Sequence, residues 1–121
     1  MKITWMVAAA LLALSSVAIS CKDDEEGEEI PEVNCDEVDV PTFEEVAIFK
    51  KCTTCHDSGK TGSARMSAPA DINFDDVDSA GKHGMKAAEE VAEGAMPPSD
   101  SKITVTEEEK DQLYAWVMCA D

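Results

Sequence analysis

The sequence predicts an all-α domain, and three observations carry that expectation. Thr42-Phe43-Glu44-Glu45 and Thr106-Glu107-Glu108-Glu109 both have the capping-box form, in which a hydroxyl residue and a glutamate three positions on satisfy each other's backbone donors at a helix start. Apolar residues downstream of each recur at helical spacing. No stretch of any length alternates apolar and polar residues as a half-buried strand would, and no segment repeats another.

The chain opens with a segment that reads as an address rather than as structure. Lys2 precedes the run Ile3 to Ile19, rich in Ala, Leu and Val and broken only by Thr4, Ser15 and Ser16. A membrane span needs roughly 20 strongly apolar residues. This run is short and hydroxyl-weakened, so residues 1–20 are expected to be a bacterial secretory signal that is removed. Val17-Ala18-Ile19-Ser20-Cys21 resembles the lipobox of bacterial lipoproteins, with Ala18 where that family usually has Leu. The resemblance implies diacylation of Cys21; an ordinary small-x-small cleavage site is the alternative. Two or more acyl chains make a stable anchor, since each buried CH₂ contributes about 0.8 kcal/mol and one chain alone is marginal. Lys22 to Glu29 then carries six acids in eight residues and offers no apolar face. Residues 21–40 are therefore expected to be a lipidated acidic tether, and 41–121 the folded domain.

Within that domain Thr42 and Glu45 open a first helix expected to run to about His56, with Val46, Phe49 and partly Ala47 on its buried face. Asp57 to Asp78 turns to Gly, Ser, Asp and Pro with isolated Met66, Ile72 and Phe74, which predicts a long irregular loop packing a few side chains inward. Ser79 to Glu93 predicts a second helix of small residues ended by Gly94. Leu113, Trp116, Val117 and Ala120 give the last helix one apolar face. So small an apolar inventory makes a poor core, and a domain of this size needs a staple, a metal or a large apolar cofactor.

Charge narrows the partners. The chain has 26 Asp and Glu against 10 Lys and Arg, a formal charge of −16; loss of the first 20 residues removes Lys2 and takes it to −17. Generic nucleic-acid binding through phosphate contacts is excluded. Such a surface suits docking to basic patches on partner proteins, in an association that weakens as salt rises.

The chemistry is expected at Cys52-Thr53-Thr54-Cys55-His56. Two cysteines three apart with histidine immediately after form the attachment signature of c-type haem. Both thiols add across the vinyl groups of one porphyrin edge, which places the adjacent imidazole under the iron. His56 is thus the candidate proximal ligand, its other ring nitrogen needing an acceptor. A zinc site wants a second ligand pair, whereas Cys35 and Cys119 stand singly with no histidine near them. A thioredoxin-like dithiol is expected beside a βαβ pattern, which is missing here.

With these residues in place the sequence resembles the small monohaem cytochrome c family over about Pro41 to Ala120. The matching parts, in order, are the helix ending in Cys52-Thr53-Thr54-Cys55-His56, the segment Gly94-Ala95-Met96-Pro97-Pro98, and a terminal helix with Leu113, Tyr114 and Trp116. The resemblance implies a cytochrome c-like fold of three to four helices around one covalent haem c. It implies Met96 as the distal axial ligand, with His83, Met85 and Met66 as rivals. It implies a proline-containing loop whose carbonyl accepts the His56 N–H, for which Ala68-Pro69 is the candidate, although the usual Gly-Pro is replaced. It implies that the last helix crosses the first, so that Leu113, Trp116 and Val117 meet Val46 and Phe49, while Ile72 and Phe74 line the haem pocket. That crossing brings Cys35 and Cys119 near each other as a disulfide, with pairing of Cys21 to Cys35 as the alternative. The function implied is one-electron transfer, without catalysis and without a small-molecule substrate, at the bacterial cell envelope in the periplasm or on the outer membrane. A haem peroxidase or gas sensor with an open distal position, or a structural haem lipoprotein, are the competing readings.

Overall fold

A computed structural model describes residues 28–121; the expected signal segment and the acylation site Cys21 lie outside the described residues. The described chain is all-helical and contains no strand, in agreement with the expected class. Three α-helices, α1 (Ala47–Cys52), α2 (Val77–Ala92) and α3 (Glu107–Cys119), are joined by loops with short 3₁₀ turns at Phe43–Glu45, Gly62–Arg65 and Ser99–Ser101.

The first helix is shorter than its sequence suggests. The Glu45 carboxylate accepts from the Thr42 backbone N–H at 2.8 Å and from its hydroxyl at 3.0 Å, but the turn this closes is 3₁₀ and stops at Val46, whose ψ of 91° is extended. The reason is tertiary. Gln112 Oε1 on α3 takes the Ala47 N–H at 3.1 Å, the group that an uninterrupted helix would direct back to its own chain. A separate helix then starts at Ala47, and although its regular part ends at Cys52, His56 N–H still donates to the Cys52 carbonyl at 2.8 Å.

Helix α2 begins two residues before Ser79 because Asp76 caps it, its carboxylate accepting from Ser79 N–H at 2.7 Å. It ends on Gly94 at φ +73°, a left-handed conformation that glycine adopts without steric cost. The Ala95 and Met96 N–H groups then turn back to the Glu90 carbonyl at 2.8 and 3.0 Å. Helix α3 starts where expected, with both halves of its capping box formed: Thr106 N–H to Glu109 at 2.8 Å, and Glu109 N–H to Thr106 Oγ1 at 3.2 Å.

Helix α3 packs against both α1 and α2. Leu113 and Tyr114 meet Val46, Ile48 and Phe49 from the first part of the domain, and Ala80, Ala88, Val91 and Ala92 from α2, in one buried cluster. The first and last helices therefore share a core as expected, with Ile48 as an additional and almost fully buried member. Phe49 is its centre: the Trp116 ring stands edge-on to it at 5.1 Å and Phe74 stacks on it at 5.3 Å. Gly84 lets α2 approach α3 closely, since a Cβ there would meet Trp116 Cζ3 at 3.0 Å.

Cys35 and Cys119 are joined in a disulfide, with Cα atoms 5.5 Å apart. Part of the expected tether meets the domain: Ile30 and Val33 lie partly buried against the core.

Candidate functional site

The Cys52–His56 segment is a single tight turn at the end of α1. Cys55 N–H and His56 N–H both donate to the Cys52 carbonyl, at 3.1 and 2.8 Å, which holds the two sulfurs and the imidazole on one short piece of backbone. Lys60 reaches back to this turn, its ammonium donating to the Thr53 and Thr54 carbonyls at 2.9 and 2.6 Å, and so satisfies acceptors that the ending helix leaves open. Cys52 and Cys55 are both free thiols. Burial pushes the Cys52 thiol up to about 12, so it is protonated at neutral pH.

His56 is fixed from two sides. Its backbone carbonyl accepts from Phe74 N–H at 2.9 Å, and the Phe74 ring stands edge-on to the imidazole at 5.5 Å. Its Nδ1 lies 3.1 Å from the Ile72 carbonyl. A carbonyl only accepts, so Nδ1 carries the proton and Nε2 keeps its lone pair. Burial lowers the His56 pKa, the Ile72 hydrogen bond opposing that in part, and the ring is neutral at pH 7. A neutral imidazole with Nδ1 tied to a backbone carbonyl is the state in which histidine ligates a metal through Nε2.

The acceptor is Ile72 rather than the expected Ala68-Pro69 loop. The Ala68 and Pro69 carbonyls turn toward Arg65 instead, Ala68 accepting from its Nε at 3.1 Å and Pro69 from its Nη2. Arg65 is at 5% exposure the one charged side chain in the described interior, and no motif in the sequence marks it. The only signal for it in the sequence is that it is the sole arginine in the chain, set in a loop poor in apolar residues.

The distal candidates scatter. Met96 lies at the surface, 38% exposed, in the turn that follows α2, and is not part of the core cluster. Met66 places its Sδ 3.5 Å from Cys55 Sγ, His83 is half-buried on α2, and Met85 is exposed on the same helix. Phe74 packs against both His56 and Phe49, and Ile72 lies partly buried against the same core cluster.

Among the described residues no three His, Cys, Asp or Glu side chains gather into a site for a metal ion, and no helix is long and apolar enough to cross a membrane. Comparison with known proteins finds no matching family model, no similar curated protein and no similar solved structure.

Proposed function

We propose that this chain is a one-electron carrier that holds one c-type haem covalently through Cys52 and Cys55, with His56 as one axial ligand and Met96 as the other. The observation that carries the reading is the imidazole directly after two free thiols, neutral, with Nδ1 locked on the Ile72 carbonyl and Nε2 available. The donor set fits the group: two thiols for thioether bonds, a nitrogen and a thioether sulfur for iron. A c-type haem, when bound, supplies reversible exchange of one electron between the ferric and ferrous states.

The chain's own residues do the rest. The Cys52–His56 turn fixes the spacing of sulfurs and imidazole. Phe74, with Phe49 stacked on it, offers an apolar wall beside His56, which would favour the less charged reduced state. The Met96 thioether also favours the reduced state, whereas the surrounding carboxylates oppose it. We assign the domain to the cytochrome c-like fold on the same grounds. A lipid anchor at Cys21 would hold it at the bacterial envelope, in the periplasm or on the outer membrane, where it docks to basic patches on redox proteins; it binds no small-molecule substrate and catalyses no reaction.

Mediated voltammetry on protein made with a c-type maturation system tests this. A reversible one-electron wave, with a low-spin spectrum that turns high-spin in Met96→Ala, is the expected result. Slow and irreversible exchange would leave the haem a structural role, and a high-spin wild type would point to an open distal position. Partner reduction that does not change with ionic strength would remove the docking argument.

A further inference from the structure

The His56 contact has a third participant. Arg65 Nη2 donates to the same Ile72 carbonyl at 3.0 Å, so one oxygen accepts from the imidazole and from a guanidinium at once. Arg65 Nη1 also donates to the carbonyl of Asp57 at 2.6 Å, the residue directly after His56, and to Asn73 Oδ1 at 3.0 Å, the residue directly after Ile72. The guanidinium thus ties together the two backbone segments that face each other across the imidazole. None of the ion pairs among the described residues includes Arg65: its direct partners are carbonyl and amide oxygens, and the Asp75 carboxylate feels its charge only at longer range.

We propose that Arg65 is a positioning residue for His56, acting through the Ile72 carbonyl that both side chains share, and that it biases the site toward the reduced form of the group it holds. The inference rests on the haem reading above and deepens it. Two physical effects point the same way. A carbonyl oxygen that already accepts from a guanidinium draws less strongly on the Nδ1 proton, so the imidazole keeps its neutral character and donates less charge through Nε2. A buried cation with no carboxylate in direct contact also favours whichever state of a neighbouring centre is less positive. The fork of the guanidinium matters as well as its charge, because a lysine ammonium cannot span the Asp57, Pro69 and Ile72 carbonyls together.

The test compares wild type, Arg65→Lys and Arg65→Met, made with c-type maturation. The readouts are the midpoint potential and the NMR position of the His56 Nδ1 proton in the reduced state. A lowered potential and a downfield-shifted Nδ1 proton in Arg65→Met, with Arg65→Lys between it and wild type, is the expected result. A haem-bearing Arg65→Met with wild-type potential and Nδ1 position would reduce Arg65 to a loop staple and overturn the proposal. If Arg65→Met does not fold, Arg65→Lys decides alone by the same two readouts. A wild type without covalent haem defeats the haem reading and the redox half of this one. The positioning half is then read on the haem-free protein: loss of protection of the Nδ1 proton by about tenfold or more in Arg65→Lys supports it, and unchanged protection overturns it.

Discussion

The two glycines of α2 make opposite predictions for the same substitution. Nothing lies within 4 Å of the position a Cβ would take on Gly81, whereas a Cβ on Gly84 would meet Trp116 Cζ3 at 3.0 Å and Val117 Cγ1 at 3.1 Å. Alanine is favoured over glycine inside a helix by about 0.8 to 1.0 kcal/mol, a gain common to both sites. At Gly84 that gain meets an overpacking cost of about 1 to 3 kcal/mol. The Trp116 ring has little room to yield, because it is packed on Phe49 at 5.1 Å and faces Phe43 at 6.2 Å. Gly81→Ala should therefore stabilise by about 1 kcal/mol, and Gly84→Ala should range from nearly neutral to about 2 kcal/mol destabilising. The difference between the variants isolates the close approach of α2 and α3, since the propensity gain cancels. For a domain of this size, a difference of 1 kcal/mol or more corresponds to at least about 4 °C in Tm. Urea and thermal unfolding of both variants, with the disulfide intact and the cofactor state matched, measure it. Equal stabilisation by the two substitutions would refute the helix crossing.

Other perturbations follow from the same contacts. Replacing Cys35 and Cys119 by serine opens an 84-residue separation and should cost about 4 to 5 kcal/mol in the chain-entropy account, seen as a fall in the urea midpoint; a loss under about 1 kcal/mol would contradict it. Burial raises the Glu109 pKa, but the hydrogen bonds from Lys51, at 2.7 Å, and from Thr106 outweigh it and hold the carboxyl below 4.5. A lowered folded-state pKa contributes stability that is complete above the unfolded value and is lost as pH falls through the folded one, so Lys51→Met should flatten the acid side of the stability profile; an unchanged profile between about pH 3 and 6 would count against the pair. In the haem-free protein, Cys52 at about 12 rather than 9.0 holds about a thousandfold less thiolate at neutral pH, and its alkylation should be at least about tenfold slower folded than in urea. Equal rates would show that the thiol is not buried.

What the sequence made legible was local. The Thr106 capping box places α3 correctly because its two hydrogen bonds join residues three apart, and the Cys52–His56 turn is likewise a short-range object. The equivalent signal at Thr42 was present but did not propagate, since Gln112, 65 positions away, claims the Ala47 N–H. Helix α2 starts ahead of the expected Ser79 because the Ser79 N–H itself donates to the Asp76 cap. The acceptor for His56 is Ile72 rather than Ala68-Pro69, in a loop that closes around a buried arginine toward which the carbonyls of Ala68, Pro69 and Ile72 all turn. Burial of a lone arginine is decided by how a loop closes, which periodicity and composition do not encode.

A haem-stained denaturing gel of the full chain made with a c-type maturation system, beside the Cys52→Ala/Cys55→Ala variant, addresses the central claim most directly. Haem that stays with the wild-type band through denaturation and is lost from the variant is the predicted result. A colourless wild-type band, with Cys52 and Cys55 still titrating as free thiols, would contradict it.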